Sequence, residues 1–293
     1  MDQKIIDNYV KAGKIASKVR EEAKSLVKPG MKLIDLAEKL EKKIRDLGGV
    51  PAWPVNISTN EIAAHYSPAK GDDSVFGEKD LVKVDIGVAV DGYIADTTVS
   101  VALDKEDAKL VEAAEKALDE ALKLVRPGAD VADIAAKIEE TIVSMGFKPI
   151  VNLTGHGLDQ YTVHSEPKIP NHKGDFHYLL EEGEAIAIEP FATRGRNFIT
   201  ESDENRALTY TVLEEKPVRS MEARIILQDM RSREGMPFTD RWLKADGIKL
   251  KLALRELMEK ECIQPYRILK GDSKISQAEH TVLVLDKPIV TTR

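Results

Sequence analysis

Four acidic residues in strand-like surroundings carry the strongest chemical signal in this chain. The segment LVKVDIGVAVDGYIADTTVSV, residues 81–101, places Asp85 and Asp96 on two β-rich runs joined by Asp91-Gly92. That dipeptide signals a two-residue hairpin turn. The turn sets a register in which Val90 faces Tyr93 and Gly87 faces Asp96. Asp85 and Asp96 then share one face as diagonal neighbours, and the missing side chain at Gly87 leaves room beside Asp96. Glu189 lies in EAIAIEPFAT, whose alternation puts Ala185, Ala187 and Glu189 on one face. Pro190 has no backbone donor and marks a strand edge or a bulge. Glu279 lies in another strand-like run, SQAEHTVLVLD.

Carboxylates aimed at one point repel unless protonated or bridged by a cation. Two aspartates, two glutamates and an imidazole suit two hard or borderline divalent ions such as Mn, Fe, Co or Zn, and four carboxylates balance the charge of two such ions. The 6 histidines are His65, His156, His164, His172, His177 and His280. His156, in TGHGLD, is flanked by glycines that let a backbone approach closely. His65, in AAHY, lies shortly before the aspartate hairpin. The chain has no HExxH, no Walker loop and no GxSxG. A thermolysin-type zinc site, nucleotide hydrolysis and serine hydrolysis therefore lack sequence support.

An internal repeat supplies the elements that position these residues. Residues 12–49 match 110–147, with KVREEAKSLVKPG over KALDEALKLVRPG. Leu33, Leu36, Ala37, Leu40, Ile44 and Leu47 repeat the spacing of Val131, Ile134, Ala135, Ile138, Ile142 and Met145, the stripe of a helix packed on one side. Each copy has a Pro-Gly before that helix and a glycine, Gly48 or Gly146, near its end. The match continues through PVNIS over IVNLT and LVKVD over AIAIE, which superposes Asp85 on Glu189. Two copies are too few for a solenoid. The expectation is two related α+β halves sharing one core, with a site between them.

The 293 residues are 42% hydrophobic and 32% charged, as in an ordinary globular protein. The first 30 residues are charged throughout and read as a helix, with no apolar run for a signal peptide or a membrane span. Cys262, the single cysteine, reads as an apolar filler in a helix and fits a reducing compartment. A net charge of -7 argues against a broad nucleic-acid-binding surface. Arg241, Lys249, Lys251 and Arg255 read as a solvated helix face.

On these motifs the chain resembles the methionine aminopeptidases of the pita-bread fold family, over nearly its whole length. The resemblance implies an α+β, pseudo-twofold fold with a catalytic domain of residues 1–195 and 265–293. Asp85 and Asp96 are 11 residues apart but Glu189 and Glu279 are 90 apart. The excess marks residues 196–264 as a mainly helical insertion, with TDRWLKADGIKLKLALRELMEKE its most helix-like part. Such an insertion resembles the type 2, archaeal-like form. By motif, the resemblance implies that Asp85 in KVDIG, Asp96 in IADTT, His156 in TGHGL, Glu189 in IEPFAT and Glu279 in QAEHT hold two divalent metal ions (Co, Mn, Fe or Zn). It makes His65, His164 and Glu189 catalytic residues, and gives Trp53, His65 and His164 contacts to substrate. Two positions depart from the family pattern: Trp53 stands where Phe is common, and HSE at 164–166 replaces HAG.

The implied activity is removal of the initiator methionine when the second residue is small. Its partners are the N-termini of nascent or new proteins, near the ribosome in the cytoplasm, with no membrane and no specific nucleic acid. The rival readings are an Xaa-Pro peptidase on the same fold and a non-catalytic pita-bread binding module.

Overall fold

The structure, a computed structural model, describes residues 1–202 and 208–293. Residues 203–207, within the expected insertion, lie outside the described residues.

Four helices form two like pairs: α1 (Gln3–Leu26) with α2 (Leu33–Asp46), and α3 (Ala108–Leu122) with α4 (Val131–Ser144). The stripes expected on α2 and α4 are buried from Leu33 to Ile44 and from Val131 to Ile142, because each helix lays that face on the sheet. Leu47 and Met145, just past the helix ends, are only half-buried. Gly48 and Gly146 take φ of 83° and 85°, the left-handed conformation that ends a helix and that glycine adopts without a Cβ clash.

The central sheet has nine strands. Its path runs Val50–Pro51, Leu81–Val90, Tyr93–Ala102, Glu279–Leu283, Ala185–Ile188, Thr154–Asp159 and Thr162–Pro170. Asn56–Thr59 also pairs with Leu81–Val90, and Ile289–Val290 with Glu279–Leu283. Outward from the seam between Tyr93–Ala102 and Glu279–Leu283 come the repeat-related strands Leu81–Val90 and Ala185–Ile188, one on each side, with Thr162–Pro170 an added edge strand on the second side. The repeat is thus a pseudo-twofold in space. Asp91 and Gly92 both have positive φ, and the hairpin pairs Val90 with Tyr93 and Gly87 with Asp96, as the turn dipeptide predicts.

The helices cover one face of this sheet, but not over one shared core. One apolar cluster joins α1 and α2 to Ile57, Val84 and Ile86, and another joins α3 and α4 to Ile186, Ile188 and Val282. The seam between them is polar, which keeps the clusters separate. There Arg20 donates to Thr97 Oγ1 at 3.0 Å and to the Thr292 carbonyl at 2.9 Å.

Beyond residue 208, α5 (Met221–Met230), α6 (Gly247–Glu259) and the antiparallel pair Thr209–Val212 with Ile263–Tyr266 enclose a cluster of their own around Ile226, Phe238, Leu250 and Leu257. Three details differ from expectation. Helix α6 starts only at Gly247, with Asp240–Trp242 a separate 3-10 turn. Cys262 is buried in the bend after α6 rather than within it. Arg241 leaves the expected solvated face to pair with Glu41 of α2 at 2.6 Å, with both side chains 2% exposed. No helix among the described residues is long and apolar enough to cross a membrane.

Candidate metal centre

The open face of the sheet presents two rows of side chains across the seam. In the first, Asn56 pairs with Asp85, Asp85 with Thr98, and Thr98 with Glu279. In the second, Gly87 pairs with Asp96, and His156 with Ala187. Residues two apart on one strand share a face, so Asp85 lies with Gly87 and Asp96 with Thr98. Glu189 follows the Ala185–Ile188 strand at the break made by Pro190. Small residues separate the acids, which leaves space above the sheet between them.

Ligand-type atoms of Asp96, His156 and Glu279 lie within 4.8 Å of one another. His156 Nε2 is 3.6 Å from Asp96 Oδ2 and 3.9 Å from Glu189 Oε1. The His156 ring is aimed by its other nitrogen, with Nδ1 3.0 Å from the Gly157 carbonyl. The flanking glycines serve the close strand approach expected of them: a Cβ on Gly157 would fall 2.0 Å from the Glu166 carbonyl oxygen. Each remaining acid is held at one oxygen. Asn56 donates to Asp85 at 3.0 Å, Thr98 to Glu279 at 2.7 Å and Gln277 to Glu189 at 3.0 Å.

Burial pushes the Asp85 carboxyl up to about 6, against the pull of donors on Asn56 and Trp53. Burial first and Asp85 second push Glu279 up to about 8. Asp96 and Glu189 are raised well above the usual range by burial and then by Glu279. Such a cluster ionises fully only with cations among the carboxylates. Asp85 Oδ1 and Asp96 Oδ1 are buried with no hydrogen-bond partner, an arrangement that a buried carboxylate seldom tolerates. Donor set and orphaned oxygens together fit divalent metal ions.

A cleft of about 540 Å³ opens over this centre, lined by all five candidate ligands together with Trp53, His65 and His164. His65 holds φ at 67°, uncommon for a residue with a Cβ. Its Nδ1 is 2.9 Å from the Arg267 carbonyl, and its ring meets Tyr266 edge-on at 5.4 Å. His164 stacks edge-on against His156 at 4.4 Å. Burial lowers the affinity of His65 for a proton, and burial followed by the charges of His156 and His65 lowers His164 to about 3. Burial thus disfavours the charged form of both rings. His172, His177 and His280 lie outside the cleft lining.

Trp53 is 6% exposed and combines two roles, lining the cleft while packing against Leu158, Ala187 and Met236. Its ring occupies the space at Gly87, where a Cβ would come within 2.5 Å of it. The gap expected beside Asp96 is thus filled by indole. Trp53 Nε1 lies on the Asp85 side but completes no hydrogen bond of normal geometry. Ser165 and Glu166 also line the cleft. Tyr266, Pro237 and Thr209, which the motifs did not single out, also line it, Tyr266 in ring contact with both His65 and His164. Gln277 was legible, two residues before Glu279 on the same face; Tyr266 and Pro237 carry no comparable sequence signal.

A family model described as metallopeptidase family M24 matches residues 7–239. The chain belongs to metallopeptidase family M24. Among M24 relatives, a methionine aminopeptidase from Pyrococcus abyssi is 45% identical over 294 residues, covering 98% of this chain and 99% of the relative. Two solved structures share the fold at low identity. One, described as a thermophilic Arx1, has a TM-score of 0.86 at 17% identity, covering 99% of this chain and 91% of its own. The other, a methionine aminopeptidase from Rickettsia prowazekii, has a TM-score of 0.74 at 18% identity, covering 100% and 98%. The architecture is thus the α+β pita-bread fold of M24 enzymes.

Proposed function

We propose that this M24 metallopeptidase is a type 2 methionyl aminopeptidase that acts in the cytoplasm on the N-termini of new proteins whose second residue is small. The observation that carries the reading is the convergence of ligand-type side chains with orphaned carboxylate oxygens, in a chain 45% identical to a methionine aminopeptidase over 98% of its length. The type 2 assignment rests on the two-helix unit between Glu189 and Glu279, which residues 196–264 form as an insertion in the catalytic domain of residues 1–195 and 265–293.

Asp85, Asp96, His156, Glu189 and Glu279 hold two divalent ions, which acidify water and polarise a carbonyl when bound. Glu189 has one oxygen occupied by Gln277 and the other turned toward His156, so Oε1 is placed to take a proton from the attacking water and relay it to the leaving amine. His65 Nδ1 carries its proton toward the Arg267 carbonyl, leaving Nε2 as an acceptor for a substrate N–H. His164 donates to the scissile carbonyl as negative charge develops on its oxygen. Small side chains are expected at the second position, where Ser165 and Glu166 join the two histidines in lining the cleft.

An assay of Met-Ala-Ser against Met-Lys and Ala-Pro peptides, with each metal supplied separately, tests the reading. Cleavage of Met-Ala-Ser alone is expected. Equal rates on Met-Lys, or a preference for Ala-Pro peptides, would remove it.

A further inference from the structure

One guanidinium joins two walls of the cleft. Arg233 ends the 3-10 turn Arg231–Arg233, and Glu234 and Gly235, with φ of 50° and 90°, reverse the chain so that Met236 and Pro237 fold back over its side chain. Arg233 Nε donates to the Met236 carbonyl at 3.1 Å and Nη2 to the Pro237 carbonyl at 2.7 Å. The same Nη2 reaches the carbonyls of Pro51 and Ala52, each at 2.9 Å, 182 and 181 positions away in sequence. Its hydrogen-bond partners among the described residues are main-chain carbonyls.

The support behind it is fixed. The guanidinium lies 4.8 Å over the Trp242 ring, Trp242 Nε1 donates to Glu41 at 2.7 Å, and Glu41 is paired with Arg241 in a dry setting. In front of it, Ala52 N donates to the Gly87 carbonyl at 2.9 Å, so the grip on Ala52 is also a grip on where Trp53 meets Gly87, beside Asp85. Trp53 and Pro237 both line the cleft, and Met236 belongs to the same apolar cluster as Trp53. Four carbonyl dipoles from two segments distant in sequence repel one another when turned inward; a multidonor cation holds them together.

We propose that Arg233 is a specificity-positioning residue, setting the separation of Trp53 and Pro237 and hence which N-terminal side chain the cleft accepts. The inference rests on the aminopeptidase reading above.

The test uses full-length, metal-loaded protein carrying Arg233→Met, Arg233→Gln or Arg233→Lys. Peptides X-Ala-Ser with X as Met, Leu, norleucine or Phe give kcat and KM, alongside metal content and melting temperature. Loss of a contact made equally in ground and transition states raises KM while sparing kcat. Arg233→Met is expected to raise KM for Met-Ala-Ser about tenfold, with kcat within about threefold, and to cut the preference for Met over Phe about tenfold. Metal content should not change, and Arg233→Lys should recover much of the preference. Wild-type KM and selectivity in Arg233→Met, whatever its melting temperature, would overturn the proposal, as would a fall in kcat at unchanged selectivity. Should Arg233→Met fail to fold, unchanged KM and selectivity in Arg233→Gln would overturn it equally. A wild-type enzyme without preference for methionine brings down the aminopeptidase reading itself. A wild type that prefers methionine beside an unaltered variant sinks only the role of Arg233.

Discussion

The two halves of the sheet deliver carboxylates to one point by different routes. In the first, Asp85 and Asp96 sit on strands joined by a two-residue turn, so local sequence fixes their relation. In the second, Glu189 and Glu279 are brought together by long-range pairing, of Ala185–Ile188 with Glu279–Leu283 and of Phe191–Thr193 with Ile275–Gln277. Between those strands lies a chain long enough to build its own apolar cluster. What the halves share is the position of each acid relative to the seam, not the connection. The halves also differ in finish. Asp130 caps α4 by accepting from Ala132 N, whereas Lys32 at the start of α2 makes no side-chain cap. Register differs too: Asp85 opposes Thr98, two places from Asp96, whereas the pairing of His280 with Ile188 sets Glu189 level with Glu279.

If the halves are equivalent at the site, Asp96→Asn and Glu279→Gln should be the most damaging changes and should damage it alike. Each replaces a charged ligand by a neutral amide, and each is expected to lower metal content and reduce turnover by about a thousandfold or more, as chelation should. Metal analysis beside kinetics is the check; normal occupancy and turnover in Asp96→Asn would remove Asp96 from the ligands.

The histidines extend the comparison, since His65 follows Ile62–Ala64, a strand of a smaller sheet paired with Leu269–Lys270, whereas His164 lies in Thr162–Pro170 at the edge of the central sheet. His65→Ala and His164→Ala should keep their metals and lose about 2.7 to 4 kcal/mol of transition-state stabilisation, roughly a hundredfold to a thousandfold in rate. Metal loss without a further defect would make either one a ligand or a support.

A smaller effect is expected one step behind the acids. Asn56 steadies Asp85 and Gln277 steadies Glu189. Asn56→Ala and Gln277→Ala should each weaken metal affinity about tenfold. Titration with Mn or Co, followed by activity and by calorimetry, would show whether one half dominates.

The mildest perturbation is pH applied to metal-free protein. Asp85 is raised from 3.8 to about 6 and Glu279 from 4.5 to about 8. A carboxyl raised on folding contributes stability that is present below its unfolded value and lost as pH climbs through its folded value. The apo protein should therefore melt lower at about pH 8.5 than at about pH 5, and added metal should raise the melting temperature most at the higher pH. A metal gain independent of pH would mean that the carboxyls are not discharged in the apo state.

Much of this was readable in advance because it depends on short-range rules. Asp91-Gly92 dictates a hairpin register, and the stripes on α2 and α4 dictate which face is covered. The acids stood out as charges in apolar strands. What stayed hidden depends on segments that meet only in space. Arg241 lies among surface-like charges in sequence, and only the fold carries it to Glu41. Gly87 reads as empty space until the chain brings the Trp53 ring into it. Tyr266 and Pro237 become cleft walls through packing that no periodicity encodes.

The order of the sheet also has a consequence for how the molecule comes into being. Glu279–Leu283 lies between Tyr93–Ala102 and Ala185–Ile188, both of which precede it in the chain. The strand synthesised after both its neighbours is therefore the one that joins them, and the halves cannot close into one sheet until it inserts. Closure over such separations makes folding slow, since loop entropy is lost before the contacts form. Until then each half is a sheet with an open edge, and the four candidate ligand acids are divided between two unjoined pieces. A centre built from ligands of both halves would be completed only on that closure, which would make the ion a seal on a finished fold rather than a seed for it.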